Sequence, residues 1–314
     1  MATAIRLRHD ILKVDGPGAG CRLVFSEGDG LSGLTVDKYD RWLAVQFTAL
    51  GLAQRREMIA ELLTELTAAA GVYLRTERGI GRLEGIELHD GLLLGEPPPN
   101  PIIIEDTDGL KFHVDLAEGQ KTGFYLDQRE NRRTVARYGT GRSVLDAFCY
   151  TGNFGLHAAR AGATTVEGVD SSTAAVEVAR RNAELNGLTN VRFLKADVFS
   201  HLARLVQEKR RYGLVVLDPP KFARSKSAIP EALRGYRRLQ ALALRLLGPD
   251  GILVTCCCTG LITMPMLDDL LAQIAAEEKR TVQVLERHGQ APDHPVAVSC
   301  LESNYLKCLI ARVT

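Results

Sequence analysis

The hydrophobic positions along this 314-residue chain change rhythm once. In the first third, short apolar runs are separated by turn residues. Strands are predicted at 22–26, 34–37 and 42–47, with a glycine-rich turn at 27–33 and a charged turn at 38–41. Residues 52–70 place Met58, Leu62, Leu63 and Leu66 at helical spacing, which predicts a helix on that apolar stripe. Further strands are expected at 72–75 and 91–94. Residues 1–20 show little pattern and read as an arm. From Ser143 the rhythm becomes regular. Strands near 143–147, 166–170, 191–195, 213–218 and 251–256 alternate with helices near 153–162, 173–187, 198–209, 229–247 and 263–279. Repeated strand–helix units of this kind predict a parallel sheet with right-handed crossovers and helices on both faces.

The proline run at 96–101 cannot join a helix or a central strand, so it reads as a linker. A hairpin is expected beyond it, with strands at 102–105 and 110–114 across Thr107-Asp-Gly109. A loop opening at Gln120 then turns into a charged helix reaching Tyr138. Two last strands, near 281–287 and 305–312, would close the edge of the sheet as a hairpin. The expected division is an arm at 1–20, a small α+β domain at 21–98, a linker and hairpin at 99–119, and a doubly wound α/β domain at 120–314.

Composition narrows the class. The hydrophobic fraction is 46%, the charged fraction 25% and the net charge +1, so charge alone does not announce a nucleic-acid binder. No apolar run approaches a membrane span, and the N-terminus lacks a hydrophobic signal core. The seven cysteines include no CxxC pair, which points away from a zinc site or disulfide framework and towards the cytoplasm.

The candidate chemistry lies where strands end. Val144-Leu-Asp-Ala-Phe-Cys-Tyr-Thr-Gly152 reads as a buried strand stopping at a small turn, with a helix following at once. Such a turn presents backbone N–H groups to a nucleotide-like ligand. Asp170, eighteen residues after Gly152, ends the next strand and can accept bonds from two ribose hydroxyls. The loop is poorer in glycine than a pyrophosphate cradle, which favours a nucleoside without phosphates, such as S-adenosylmethionine, over NAD. Asp197 could bind an adenine amine with the Val198 N–H on the ring; it could equally be a helix N-cap.

Asp218 begins the rigid corner Asp218-Pro-Pro-Lys-Phe222, which could hold a flat base. The fifth strand ends Cys256-Cys-Cys-Thr-Gly260. Alternation puts Cys256 and Cys257 on opposite faces, and Cys258 lies at the strand exit. A thiol there is a candidate nucleophile if a cation or helix N-terminus favours its thiolate. Carbon 5 of a pyrimidine becomes reactive towards a sulfonium methyl only after a thiolate adds to carbon 6, and reaching carbon 6 requires an unstacked base. Among the basic residues, Lys221, Arg224 and Arg237 follow the proline corner and are candidates for RNA-backbone contact.

These motifs resemble the bacterial 23S ribosomal RNA (cytosine-C5) methyltransferases. The resemblance runs from about residue 20 to the C-terminus. It rests on Asp29-Gly-Leu-Ser-Gly-Leu-Thr-Val-Asp37, Lys121-Thr-Gly-Phe-Tyr-Leu-Asp-Gln-Arg129, Asp146-Ala-Phe-Cys-Tyr-Thr-Gly152, Asp218-Pro-Pro-Lys-Phe222, Cys258-Thr-Gly260, Asp293-His-Pro295 and Tyr305-Leu-Lys307. It implies a class I methyltransferase domain, with a seven-stranded and mostly parallel sheet, behind a small α+β domain. It implies Cys258 as nucleophile and Asp218 as the residue touching the base. Phe124, Arg129, Asp146, Phe148, Tyr150, Gly152, Asp170, Asp197 and Val198 would contact S-adenosylmethionine. Members usually begin with an RNA-binding PUA domain, and this chain starts about where that domain would end. The expected product is 5-methylcytosine in large-subunit rRNA, with no metal and no membrane partner; monomer and homodimer both stay open. The rivals are methylation at a base nitrogen, which needs no cysteine, and an RNA-binding assembly factor without turnover.

Overall fold

The computed structural model describes residues 1–76, 85, 87–119 and 121–314. The chain divides into two compact units, residues 1–129 with 291–303 and residues 130–290 with 304–314. The division falls between Arg129 and Glu130, later than the expected boundary before residue 120, and Ala291–Ser303 returns to the first unit. Gln120, the expected opening of the loop, lies outside the described residues.

The first unit is built on a five-stranded sheet in the order β1 (Gly20–Phe25), β2 (Leu34–Tyr39), β3 (Trp42–Phe47), β4 (Gly71–Leu74), β5 (Gly91–Gly95). All neighbours are antiparallel except β3 and β4, which are parallel because a helical crossover joins them. Residues 2–12, expected as a patternless arm, are helical. They form α1 (Ala2–Arg6) and a π-helical turn over Leu7–Leu12. Ala4 and Ile5 join the core, and the buried Arg8 anchors the segment.

The crossover contains α2 (Leu50–Ala53) and α3 (Arg56–Thr67). The helix forms as expected, and of the four apolar positions that predicted it only Leu63 lies on the buried face. Ile59, Ala60 and Leu63 are buried, while Met58, Leu62 and Leu66 are exposed. Two apolar stripes compete on this helix, and the sheet packs against the one carrying a small residue, Ala60, which lets helix and strands approach closely. The hairpin β6 (Ile102–Glu105) and β7 (Lys111–Val114) pairs as expected.

The second unit carries a seven-stranded sheet. Its strands are β8 (Ser143–Ala147), β9 (Thr165–Asp170), β10 (Val191–Lys195), β11 (Tyr212–Leu217), β12 (Leu247–Cys257), β13 (Val282–His288) and β14 (Lys307–Val313), in the order β10-β9-β8-β11-β12-β14-β13. β14 alone runs against the direction of the other six strands, antiparallel to both β12 and β13. The last two strands do pair as a hairpin, but β14 inserts between β12 and β13. The helices are α4 (Arg129–Gly139), α5 (Asn153–Arg160), α6 (Thr173–Leu185), α7 (Val198–Gln207), α8 (Ile229–Leu246) and α9 (Met264–Glu277). Strand periodicity splits the core in two. Leu145, Val215 and Leu253 pack with α7, α8 and α9, whereas Val144, Leu214, Val216 and Val254 pack with α4 and α5. This is the class I methyltransferase fold that the sequence predicts. Among the described residues, no helix is long and apolar enough to cross a membrane.

Candidate active site

In the second unit, β8 to β12 all run the same way, so their carboxyl ends gather along one edge of the sheet. At the end of β8 the chain makes a tight turn in which Phe148, Tyr150 and Gly152 all have positive φ (63°, 49° and 87°). A left-handed conformation costs a non-glycine residue roughly 1–3 kcal/mol. It persists here because the turn is tied down. The Cys149 N–H donates to the Val169 carbonyl (3.1 Å), and the Tyr150 N–H donates to Asp170 Oδ2 (2.9 Å). Asp170 Oδ1 accepts from the Ser172 N–H (2.9 Å), so the acid that ends β9 also braces the β8 turn. At Gly152 a Cβ would lie 2.7 Å from the Phe193 ring, so glycine is required by space as well as by φ.

Asp146 is buried under the turn. Its Oδ2 accepts from the Gly155 N–H (2.8 Å), and its Oδ1 has no partner. Burial pushes its carboxyl up to about 7, against the Gly155 bond, with the nearby Asp218 and Asp170 adding to the rise. A buried acceptor oxygen without a donor is costly, and at a strand end it marks a place for a ligand donor.

Asp197 caps α7, its side chain accepting from the Ser200 N–H (2.9 Å), which lowers its carboxyl below the usual value. It is exposed and follows β10 directly, beside the end of β9 where the Ala196 N–H bonds to the Asp170 carbonyl. The capping role is therefore present, and the outward position leaves oxygen lone pairs for a ligand. The Val198 side chain is buried in the core.

Asp218, half-buried, follows β11, and its N–H reaches the Ala147 carbonyl (3.4 Å). β11 and β12 are neighbours, and this brings the proline corner to the cysteines. Cys258 Sγ lies 4.0 Å from the Pro219 carbonyl. Cys256 and Cys257 are buried on opposite faces of β12, whereas Cys258 is only partly covered. The Tyr236 hydroxyl sits among Cys257, Cys258 and Asp218, and burial, followed by Cys257, pushes its ionisation far above the ordinary value. Phe148, Phe199, Phe222 and Tyr236 make a row of rings along the same edge, with centroids 5.1–6.4 Å apart in sequence. Lys221 and Arg224 are exposed beside the corner. Arg237 is not directed at the corner. Its guanidinium pairs with Glu277 (2.7 Å) and bonds to Gln273 (2.5 Å), both on α9. Lys209 and Arg211 line a cavity of about 300 Å³ near the ends of α7, α8 and α9 instead.

Phe124 and Arg129 belong to the first unit. Phe124 is buried with its ring 5.3 Å from Phe112, and its N–H donates to the Tyr39 hydroxyl (3.2 Å). Arg129 is buried, donates to the Gly20 carbonyl (3.1 Å) and pairs with Asp293 (3.2 Å). His294, which has no evident role in the sequence, donates its Nδ1–H to Asp293 (2.9 Å), since a carboxylate can only accept, and packs 5.3 Å from Phe25.

One residue at the site was legible only as part of a motif. Lys307 opens β14 opposite Cys257, nearly buried, and donates to the carbonyls of Thr259 (2.7 Å) and Tyr305 (3.2 Å). A lysine inside the apolar run 305–311 is the signal that points to it, because lysine is almost never buried without a reason.

The carboxylates of Asp146, Asp170 and Asp197 near adjacent strand ends would repel a pyrophosphate. They suit a ligand that carries a ribose diol, an adenine amine and positive charge, which describes S-adenosylmethionine. Comparisons with known proteins agree. Residues 87–312 match the family model described as S-adenosylmethionine-dependent methyltransferase. A ribosomal RNA large subunit methyltransferase I from Aeromonas hydrophila is 42% identical over 307 residues, 97% of this chain and 77% of that protein. Among solved structures, a putative SAM-dependent methyltransferase from Streptococcus mutans superposes with a TM-score of 0.85 at 23% identity, covering 99% of this chain and 79% of that one. A putative methyltransferase complexed with SAH gives 0.84 at 23% identity, covering 99% and 80%. The chain therefore belongs to the S-adenosylmethionine-dependent methyltransferase family, with S-adenosylmethionine as its cofactor.

Proposed function

We propose that this methyltransferase forms 5-methylcytosine in large-subunit ribosomal RNA, with Cys258 as nucleophile. The observation that carries the reading is the position of the Cys258 thiol, partly accessible and 4.0 Å from the carbonyl of the Asp218-Pro-Pro corner. A methylase of base nitrogens has no use for a thiol beside its base-holding corner. The ribosomal substrate is suggested by the name of the Aeromonas relative.

In this reading Asp146, Asp170, Asp197, Val198 and the 148–152 turn hold the cofactor. Asp146 Oδ1 takes its ammonium, Asp170 its ribose and Asp197 its adenine amine. The bound cofactor supplies an electrophilic methyl group on a sulfonium. Cys258 adds as thiolate to carbon 6 of an unstacked cytosine, which makes carbon 5 nucleophilic. After methylation a base removes the carbon-5 proton and the thiolate is expelled, restoring the ring. Asp218 and the Pro219 carbonyl hold the exocyclic amine and ring edge, orienting carbon 6 over the sulfur. Lys221 and Arg224 meet the RNA backbone. Phe124 and Arg129, also expected at the cofactor, are buried in the first unit.

Bisulfite sequencing of ribosomal RNA from cells with and without the protein tests the reading. One cytosine should lose its methyl group in the knockout and regain it with wild type but not with Cys258→Ala. Full rescue by Cys258→Ala would refute the covalent route, and no changed cytosine would refute the product.

A further inference from the structure

Lys307 is a buried ammonium whose two carbonyl partners carry no formal charge, and among the described residues it has no carboxylate partner. Taking an ammonium out of water is expensive unless a negative charge answers it. The fold supplies one acceptor for that charge. β14 is antiparallel to β12 with Lys307 opposite Cys257, and the Lys307 Nζ is bonded to the carbonyl of Thr259, the residue after Cys258. The charge of the ammonium is felt at Cys257 and Cys258, and of these Cys257 is sealed in the core while Cys258 is open at the strand exit.

We propose that Lys307 is the positioning residue that holds Cys258 as a thiolate, ready to attack before any RNA binds. The thiol proton leaves to solvent and the ammonium keeps its three protons, so the pair is a cation and an anion at neutral pH. The idea rests on the reading of Cys258 as nucleophile, but it is a statement about ionisation and can fail separately.

Among the described residues, the other titratable groups near the thiol include Asp218 after β11, Tyr236 on α8 and Cys257 on β12. Asp218 opposes the thiolate and lies near Asp146, which Asp170 and Arg132 also face. Burial drives the Lys307 ammonium down from its ordinary value, and the sulfurs of Cys257 and Cys258 push it back up, as expected of a cation facing incipient anions.

The test is the rate of iodoacetamide labelling of Cys258 against pH, read at the Cys258 peptide by mass spectrometry in a Cys300→Ser background. It needs neither RNA nor turnover. In wild type the midpoint should lie below that of a free thiol, about 8.5. A wild-type midpoint at or above that value overturns the proposal without any variant. Lys307→Gln, which can still donate to both carbonyls, should raise the midpoint by about one unit, roughly a tenfold loss of labelling at neutral pH. Lys307→Arg should return it towards wild type. An unchanged midpoint in a Lys307→Gln protein that melts like wild type would show the lysine to be structural only. A low Cys258 midpoint in a protein that makes no 5-methylcytosine would sink the cytosine reading and leave the ion pair standing.

Discussion

Asp293 in the first unit and Asp146 in the second are both buried, and their surroundings drive their carboxyls in opposite directions. Asp293 stands in a network that leaves it fully answered. It accepts from the Arg22 N–H (3.0 Å), faces the Arg129 guanidinium (3.2 Å) and bonds to His294 (2.9 Å). Its carbonyl takes a donor from Arg8, whose remaining N–H groups go to Asp29, Ala4 and the Arg22 carbonyl. Burial alone would raise the Asp293 carboxyl, but His294, Arg129 and the Arg22 N–H hold it well below the carboxylate range. Asp146 has one bond, one orphan oxygen and two other acids nearby, and is raised to about 7. A buried charge whose partners are complete holds parts of a fold together. A buried charge whose partners are incomplete waits for something the chain does not contain.

Breaking each side of this contrast should give different readouts. The largest effect is expected at the site. Cys258→Ala should lower methyl transfer by more than about 10³-fold while leaving the urea midpoint in place. An activity loss below tenfold would remove the thiol from the mechanism. On the scaffold side, Asp293→Ala removes the carboxylate that Arg129, His294 and the Arg22 N–H face, and should cost about 3–5 kcal/mol in urea unfolding. A cost near zero would mean that water enters and replaces the carboxylate.

The pH dependence separates the two acids by sign. The native Asp293 carboxyl titrates below its unfolded value of 3.8, so the stability it lends is present above that pH and lost as pH falls through the acid range. Asp146 keeps its proton in the native state up to about 7 but loses it near 3.8 when unfolded. Between those values the native state holds more protons, so rising pH removes stability, by at most about 1.4 kcal/mol per unit. Asp146→Asn should erase that slope, and a variant that still follows the wild-type profile would place the raised acid elsewhere. The same variant should weaken SAH about tenfold while leaving methylthioadenosine, which lacks the ammonium, unchanged in calorimetry. The smallest effect belongs to the surface. Leu62→Ser should move stability by no more than about 0.5 kcal/mol, because its neighbour Leu63 carries the buried face.

Periodicity and strand-end motifs made the second unit legible. Its strands bury alternating or continuous apolar runs, and its helices begin at capping residues such as Ser172 and Asp197. As site candidates, Asp146, Gly152, Asp170, Asp218 and Cys258 stood out because each lies at or just beyond the end of a strand, where a folding role alone explains it poorly. The first unit was less readable for a physical reason. Arg8 and Asp293 lie 285 residues apart in sequence yet share a hydrogen bond, and no local pattern encodes such a pair. The buried face of α3 was not legible for a related reason, since two apolar stripes were available and only packing chooses between them.

The sequence by itself determined the alternation of strands and helices, the order of acids at the strand ends and a cysteine at the exit of the fifth strand of the second unit. These follow from local spacing, which survives without knowledge of neighbours. Only the tertiary structure decided that β14 slips between β12 and β13, and this insertion sets Lys307 opposite Cys257 with its ammonium on the carbonyl of Thr259, the residue after Cys258. Strand order is a long-range choice made by the whole sheet burying its two faces, so a buried cation at the end of β12 exists only once the chain has folded.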